Sequence, residues 1–292
     1  MSIELFSLKF LIALLGFLVF GIFAWKKIEL APAGVLFLAP IYLLKTQIGW
    51  LPLNFLEILI WGTALLWLIK KISEKDFRFL AIKKEACFWP VILIMFGVIF
   101  STLVSADLKT SAGILKSWFL APAIFGLIVF DLAKKREIFK KYLWAIIFSG
   151  VVVAVISFIY LLSGQLTFDG RLKAFYLSPN HLAMYLAPAL ILALGFWFEI
   201  KKKWQKIFFV ACFMLYAVCL YFTFSYAAWL AIFGALIFAV LMAWRAGRIN
   251  IKKLFIASCL LLAVFLIVFS SQLGGEKMES LFNSDRSSFQ SR

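Results

Sequence analysis

Histidine is nearly absent from this chain, one residue in 292, at position 181. No H-E-x-x-H, Walker loop or G-x-S-x-G occurs, so zinc hydrolysis, ATP hydrolysis and elbow-type serine chemistry have no motif behind them. Cysteine is scarce too. Cys87, Cys212, Cys219 and Cys259 all lie in apolar stretches with no C-x-x-C spacing, and they read as reduced, packed side chains. Cys212 and Cys219, seven apart, can share one helix face. Neither a metal nor a cofactor is expected. Charge is the third shortage: 15% of residues are charged, against about 25% in soluble domains. That excludes a water-soluble domain and, with it, a disordered chain. What is abundant is hydrocarbon. At 65% hydrophobic and a mean hydropathy of +1.02, the chain needs lipid as its solvent.

Backbone polar groups cannot face hydrocarbon unpaired, so each long apolar run must be a helix. Ten are predicted, at about residues 6 to 25, 30 to 44, 52 to 69, 87 to 104, 111 to 130, 142 to 162, 179 to 199, 207 to 223, 226 to 244 and 254 to 270. The first lacks an A-x-A cleavage site and is followed by Lys26 and Lys27, so it reads as a retained span. The second contains Pro32 and Pro40 and is expected to tilt or break. The apolar stretch from Ile207 to Trp244 is 38 residues, too long for one crossing at about 1.5 Å per residue. It should fold back near Thr223-Phe224-Ser225-Tyr226. The expected fold is therefore all-α and polytopic. Residues 1–270 form a transmembrane domain, and the polar segment 271–292 forms the beginning of an outer-face loop.

The net charge of +16, from 30 Lys and Arg against 14 Asp and Glu, would suggest nucleic acid in a soluble protein. Here it reports topology. Loops after odd-numbered spans carry 21 of the basic residues, and loops after even-numbered spans, with the tail, carry 7. The positive-inside rule then puts the N-terminus and the even-numbered loops outside and makes a nucleic-acid partner unnecessary. Membrane lipids are the expected surroundings.

The exceptions are charges on the outer face, where topology does not demand them. The richest cluster lies between spans six and seven: Asp169, Gly170, Arg171, Lys173, Tyr176, Ser178, Pro179, Asn180 and His181. Ser178 followed by Pro179 is a helix start, a hydroxyl cap with proline in the first helical position. Free N–H groups and the positive end of a helix dipole then sit close to Arg171 and Lys173, a setting that suits a phosphate or diphosphate. The same two cations also fit lipid headgroups, or a pairing with Asp169. His181 can act as a base or simply bond locally. Glu57, near an outer span end, is within reach of Lys45, and Lys116 can reach the outer interface.

Arg171-Leu-Lys-Ala-Phe-Tyr-Leu-Ser-Pro179-Asn180-His-Leu-Ala183 resembles the segment of O-antigen ligases and polymerases in which an arginine precedes a Pro-Asn-x-Leu-Ala helix start. Two spans later, Thr223-Phe-Ser225-Tyr226-Ala-Ala-Trp229-Leu-Ala231 is similar to that family's Thr-x-Ser-Arg-x-x-x-Leu-Ala turn. Ser287-Ser288-Phe-Gln-Ser-Arg292 resembles the opening of its outer-face region, and Pro52-Leu-Asn54-Phe-Leu-Glu57 is a further echo. The chain departs from the pattern at Ala174, where glycine is usual, at Ser178, where asparagine is common, and at Tyr226, which stands in place of an arginine.

The resemblance implies a metal-independent glycosyltransferase on the outer face of a prokaryotic cytoplasmic membrane. A glycan on a polyprenyl diphosphate would be moved to a sugar acceptor hydroxyl. Arg171 would contact the diphosphate with Lys173, Ser178, Asn180 and His181 around it, Tyr226 beside it, and Arg286 and Arg292 as secondary cations. The catalytic base is expected beyond Arg292, so the chain as given should hold the donor without transferring its glycan. The competing expectation is a polytopic transporter or flippase of a lipid-linked or anionic substrate, which calls for polar residues near the midplane of several spans.

Overall fold

A computed structural model of the chain describes residues 16–48, 51–76, 85, 86, 88–197, 200–247, 250 and 270. The tenth expected span, the tail with Arg286 and Arg292, and the first half of span one lie outside them. The chain divides into two compact units, Met1–Ser149 and Gly150–Arg292.

In the first unit, helix α1 (Gly16–Lys26) leads through a 3-10 turn at Ile28–Leu30 into α2 (Ala31–Phe37). The expected second span does not form as one helix. Pro40 has no N–H to continue the ladder, and the chain passes into a second 3-10 turn, Ala39–Leu43. A hairpin follows in which β1 (Lys45–Ile48) pairs antiparallel with β2 (Leu51–Asn54). The third helix therefore starts at Phe55 and not at 52. This helix, α3 (Phe55–Ser73), precedes α4 (Phe88–Leu103) and α5 (Leu108–Leu132), which carries a π-helical turn at Leu115–Leu120. Helix α6 (Arg136–Leu162) begins six residues earlier than its apolar run predicts, because the helix continues past the hydrocarbon with Arg136, Lys140 and Lys141 in its first turns.

Two buried ion pairs fix α3 against α5. At one end Lys116 Nζ lies 2.9 Å from Glu57 Oε2. Glu57 also closes the start of α3: Asn54 Oδ1 accepts its backbone N–H at 2.8 Å and Asn54 Nδ2 donates to its Oε1 at 3.0 Å. The cap satisfies one orphan N–H at the helix start, and the second bond holds the two side chains together. At the other end Asp131, fully buried, accepts from Trp67 Nε1 at 2.9 Å and pairs with Lys71 at 2.8 Å and Lys134 at 3.0 Å. Start meets start and end meets end, so α3 and α5 run parallel. The ties are 14 residues apart on α3 and 15 apart on α5. A π turn spends one residue more than an α turn, which brings both spacings to about 21 Å at 1.5 Å per residue. Between the ties, Ala24, Ile28, Ala31, Trp67 and Ile128 form one apolar cluster and Val35, Leu59, Ile60 and Ala121 another.

The second unit holds the later part of α6 with α7 (Pro179–Trp197), α8 (Lys203–Phe222) and α9 (Tyr226–Arg245). The fold-back expected near 223 to 226 occurs there. Close approach is set at Gly150, where an added Cβ would stand 2.5 Å from the Ala189 Cβ and 2.8 Å from the Tyr216 hydroxyl. Cys219 Sγ donates to the Ala154 carbonyl at 3.3 Å, and Cys212 is buried on the same face of α8. Among the described residues five helices, Leu108–Leu132, Arg136–Leu162, Pro179–Trp197, Lys203–Phe222 and Tyr226–Arg245, are long and apolar enough to cross a membrane. The chain is a multi-pass helical membrane protein.

Candidate functional site

The segment between α6 and α7 is shaped by its own turns and hydrogen bonds. Gly164 and Gly170 take φ of +68° each, a left-handed conformation that costs glycine nothing. A turn closed by Gly170 N–H on the Thr167 carbonyl at 3.0 Å delivers the chain to Arg171. The Thr167 hydroxyl bonds the Asp169 carboxylate and accepts the Arg171 N–H at 3.0 Å, so the short turn is closed from both sides. Beyond it the residues alternate. Leu172, Ala174 and Tyr176 point inward and are buried, while Arg171, Lys173 and Phe175 lie at the margin. Leu172 N–H donates to the Phe222 carbonyl at 2.8 Å, which ties the segment to the end of α8.

Arg171 stands where three elements meet. Its Nε donates to the Thr223 carbonyl at 2.9 Å, in the corner between α8 and α9. Its Nη2 donates to Asn180 Oδ1 at 3.0 Å, on the second residue of α7. Its Nη1 lies 3.6 Å from Asp169 Oδ2, an ion pair too long for a good hydrogen bond. The guanidinium side chain is 11% exposed, and that burial pulls its pKa down from the ordinary arginine value while Asp169 pulls it back up. A guanidinium carries five N–H donors in a planar fork. Two are committed to neutral oxygens, and Nη1 has the carboxylate 3.6 Å away.

Helix α7 starts where the sequence predicts. Ser178 caps it, with its Oγ accepting the His181 N–H at 3.3 Å and its carbonyl accepting the same N–H at 3.1 Å. The Arg171–Asn180 bond therefore fixes a cation at the positive end of a 19-residue helix. Like-signed ends repel by about 0.3 to 1 kcal/mol in exposed settings, and Asp169 offsets this only in part. An anion seated between them would relieve both. The Lys173 ammonium makes no ion pair among the described residues, so a second cation is available two residues from the first. Tyr226 opens α9 within electrostatic reach of Arg171.

Of the residues singled out in the sequence, Arg171, Asn180 and Tyr226 come together around one guanidinium, and Ser178 serves the helix that Asn180 belongs to. His181 is exposed, and its ring has no bonded partner among the described residues. The expected pairing of Arg171 with Asp169 is present. The Thr223 carbonyl and Thr167 were not legible as partners, since a backbone acceptor 52 residues away leaves no trace in composition. Glu57 pairs with Lys116 and not with Lys45.

Two non-glycine residues of this region hold left-handed backbone, Ala174 at φ +49° and Phe224 at +46°. Such residues cost about 1 kcal/mol or more and collect at sites whose geometry matters. Ala174 stands where the resembled pattern carries glycine, the residue that would take this conformation without strain. Among the described residues no three His, Cys, Asp or Glu side chains gather as a metal site. No family model, curated protein or solved structure matches the chain.

Proposed function

We propose that this chain is a membrane glycosyltransferase-like protein of the O-antigen ligase and polymerase type, which binds a glycan carried on a polyprenyl diphosphate and presents it to a sugar acceptor. One observation carries the reading: the Arg171 guanidinium is fixed by Asn180 and the Thr223 carbonyl at the N-terminus of α7, with donors left over and Lys173 nearby. In such a transfer the acceptor oxygen bonds to the anomeric carbon and the bond from that carbon to the diphosphate breaks. Negative charge then grows on the departing diphosphate. A preorganised guanidinium and helix N-terminus at that point stabilise the transition state more than the ground state. The acceptor proton goes to a base other than Asp169, which Thr167 and Arg171 already hold.

The finer topology belongs to this proposal: ten spans, the N-terminus outside, and the Arg171 segment on the outer face of a prokaryotic cytoplasmic membrane. It is supported by the 21 to 7 division of basic residues. Within the first unit the parallel course of α3 and α5 agrees with it, as does, within the second, the meeting of the α7 start with the α8–α9 corner. A transporter would place polar groups along a path near the midplane. The buried charges of α3 and α5 are instead closed into pairs near the helix ends.

Binding tests the reading. Arg171→Ala should weaken retention of a purified polyprenyl-diphosphate glycan by roughly 10- to 150-fold, the loss of a charge-assisted contact worth about 1.5 to 3 kcal/mol. Arg171→Lys should recover only part, because the fork is gone. Unchanged retention by a folded alanine variant removes the proposal. Labelling of cysteines introduced at positions 165 and 203 with an impermeant reagent checks the topology: 165 should react in intact cells and 203 should not.

A further inference from the structure

A second cleft, in the first unit, has a lining of a different kind. It is an open groove of about 510 Å³ between α4 and the start of α5, and no charged residue lines it, although the chain carries +16. That volume is within the range of ligand sites. Helix α4 buries none of its residues, so one wall of the cleft is open to lipid along its length. The opposite wall runs into the π-helical turn of α5, a distortion that often accompanies function.

The lining is graded. Ser105 and Ser111 flank the hairpin end, their oxygens 2.6 Å apart, and Ser101 and Thr102 lie about one turn deeper. Val98 and Phe119 line the part beyond, about 10 Å from the hairpin end. Hydroxyls stand at the mouth and hydrocarbon below, which is the profile of an amphiphile standing in a membrane.

One hydroxyl decides the matter. In the apolar helices Thr63, Thr102 and Ser157 each donate to the carbonyl four residues back, which is how a hydroxyl is satisfied where water is absent. Ser101 does not. Among the described residues its hydroxyl has no bonded partner, and it faces the cleft. A polar group left in an apolar setting is costly, and a ligand oxygen would satisfy it. The Ser105 hydroxyl is taken up by Ser111 and, at 3.3 Å each, by the Asp107 N–H and carbonyl, so it is the lone pairs of Ser111 that remain for the same ligand. A phosphate in this cleft would lose hydration and find no cation in the lining, while Asp107 and Lys109 beside the mouth offset each other.

We infer that the α4–α5 cleft binds a lipid with an uncharged, hydroxyl-bearing headgroup, the headgroup on Ser101 and Ser111 and the upper chain along Val98 and Phe119. This does not depend on the diphosphate reading, since it concerns other helices and another ligand charge. The test uses the full chain in phosphatidylcholine nanodiscs with a glucosyldiacylglycerol bearing a diazirine high on one acyl chain, and the same diazirine on phosphatidic acid. Crosslinked peptides are mapped by mass spectrometry. The glucosyl probe should label residues 98–119 above the exposed face of α9. Labelling should fall roughly threefold to tenfold in Ser101→Ala, the loss of one hydroxyl bond, and further in Ser101→Phe, which fills the cleft. Ser101 is exposed, so both variants should keep the wild-type elution profile. Equal labelling of α9, equal labelling by the phosphatidic acid probe, or indifference to Ser101→Ala would each overturn the inference.

Discussion

Asp131 is the most heavily committed carboxylate among the described residues, and its removal should be the most damaging single change in the first unit. Its side chain has no exposure and takes Trp67 Nε1 at 2.9 Å, Lys71 at 2.8 Å and Lys134 at 3.0 Å. These partners are unequal. Lys134 is 50% exposed, so its share is about 0 to 1 kcal/mol. The Trp67 bond is a buried donor on a charged acceptor, about 1.5 to 3 kcal/mol. Lys71, 10% exposed, is shared with Asp76 at 2.8 Å and keeps that second partner when Asp131 is lost. Asp131→Ala then strands the Trp67 donor and half of the Lys71 environment, and about 3 to 5 kcal/mol is expected, the usual loss when one partner of a buried pair is removed. Trp67→Phe should cost about 1.5 to 3 kcal/mol and Lys134→Ala less than about 1. The assay is unfolding by SDS titration in mixed micelles, followed by far-UV circular dichroism. If Asp131→Ala falls within 1 kcal/mol of Lys134→Ala, in the range expected for exposed pairs, the claim that this pair anchors α3 to α5 is wrong.

Gly150→Ala should destabilise the second unit by about 1 to 3 kcal/mol in the same titration, because its Cβ would press on Ala189 and the Tyr216 hydroxyl; a neutral result would mean the helices are further apart. Ala174→Gly should stabilise by about 0.5 to 1 kcal/mol in thermal melts, since the left-handed backbone at φ +49° suits glycine; destabilisation would contradict that backbone. The Asp107 carboxylate, which caps α5 through the Thr110 N–H and hydroxyl, is held below the ordinary aspartate pKa of 3.8 by those bonds. A depressed carboxylate pKa stabilises the fold above the unfolded value and ceases to do so as pH falls through the folded one. Exchange protection of the α5 amides near Thr110 should therefore hold at neutral pH and fade in acid, and a profile that fades above pH 5 would exclude Asp107 as the cause.

Caps, prolines and run lengths were legible where they occurred, although the starts of α3, α6 and α8 were not. Ser178-Pro179 named the first residue of α7, and the length of the apolar stretch from Ile207 to Trp244 required the corner at Thr223. Pro40 announced the break in the second run. Hydropathy was weaker where a helix outlasts the membrane, as at Arg136, because charged residues can be helical in water. It also misread Leu51–Asn54, whose apolar character serves a strand. Asn54 and Glu57, three apart, carry a capping signature, which the chain uses alongside the pairing of the carboxylate with Lys116. In the candidate site, residues near in sequence could be grouped from their spacing. The Thr223 carbonyl could not, since it is a backbone atom brought in by the fold.

The central claim is that the Arg171 fork is a seat for an anion and not only a clamp between α7 and the α8–α9 corner. Asp169 separates the two. It lies 3.6 Å from Nη1, and a diphosphate on the same guanidinium would compete with it. The measurement is the affinity of the purified chain in nanodiscs for a polyprenyl diphosphate, wild type against Asp169→Asn. If Arg171 grips the diphosphate, removing the competing negative charge should tighten binding by about twofold to tenfold at low salt, with the gain shrinking as salt is added. Binding that is unchanged or weaker in a folded Asp169→Asn variant would show the guanidinium to be a structural clamp and contradict the account.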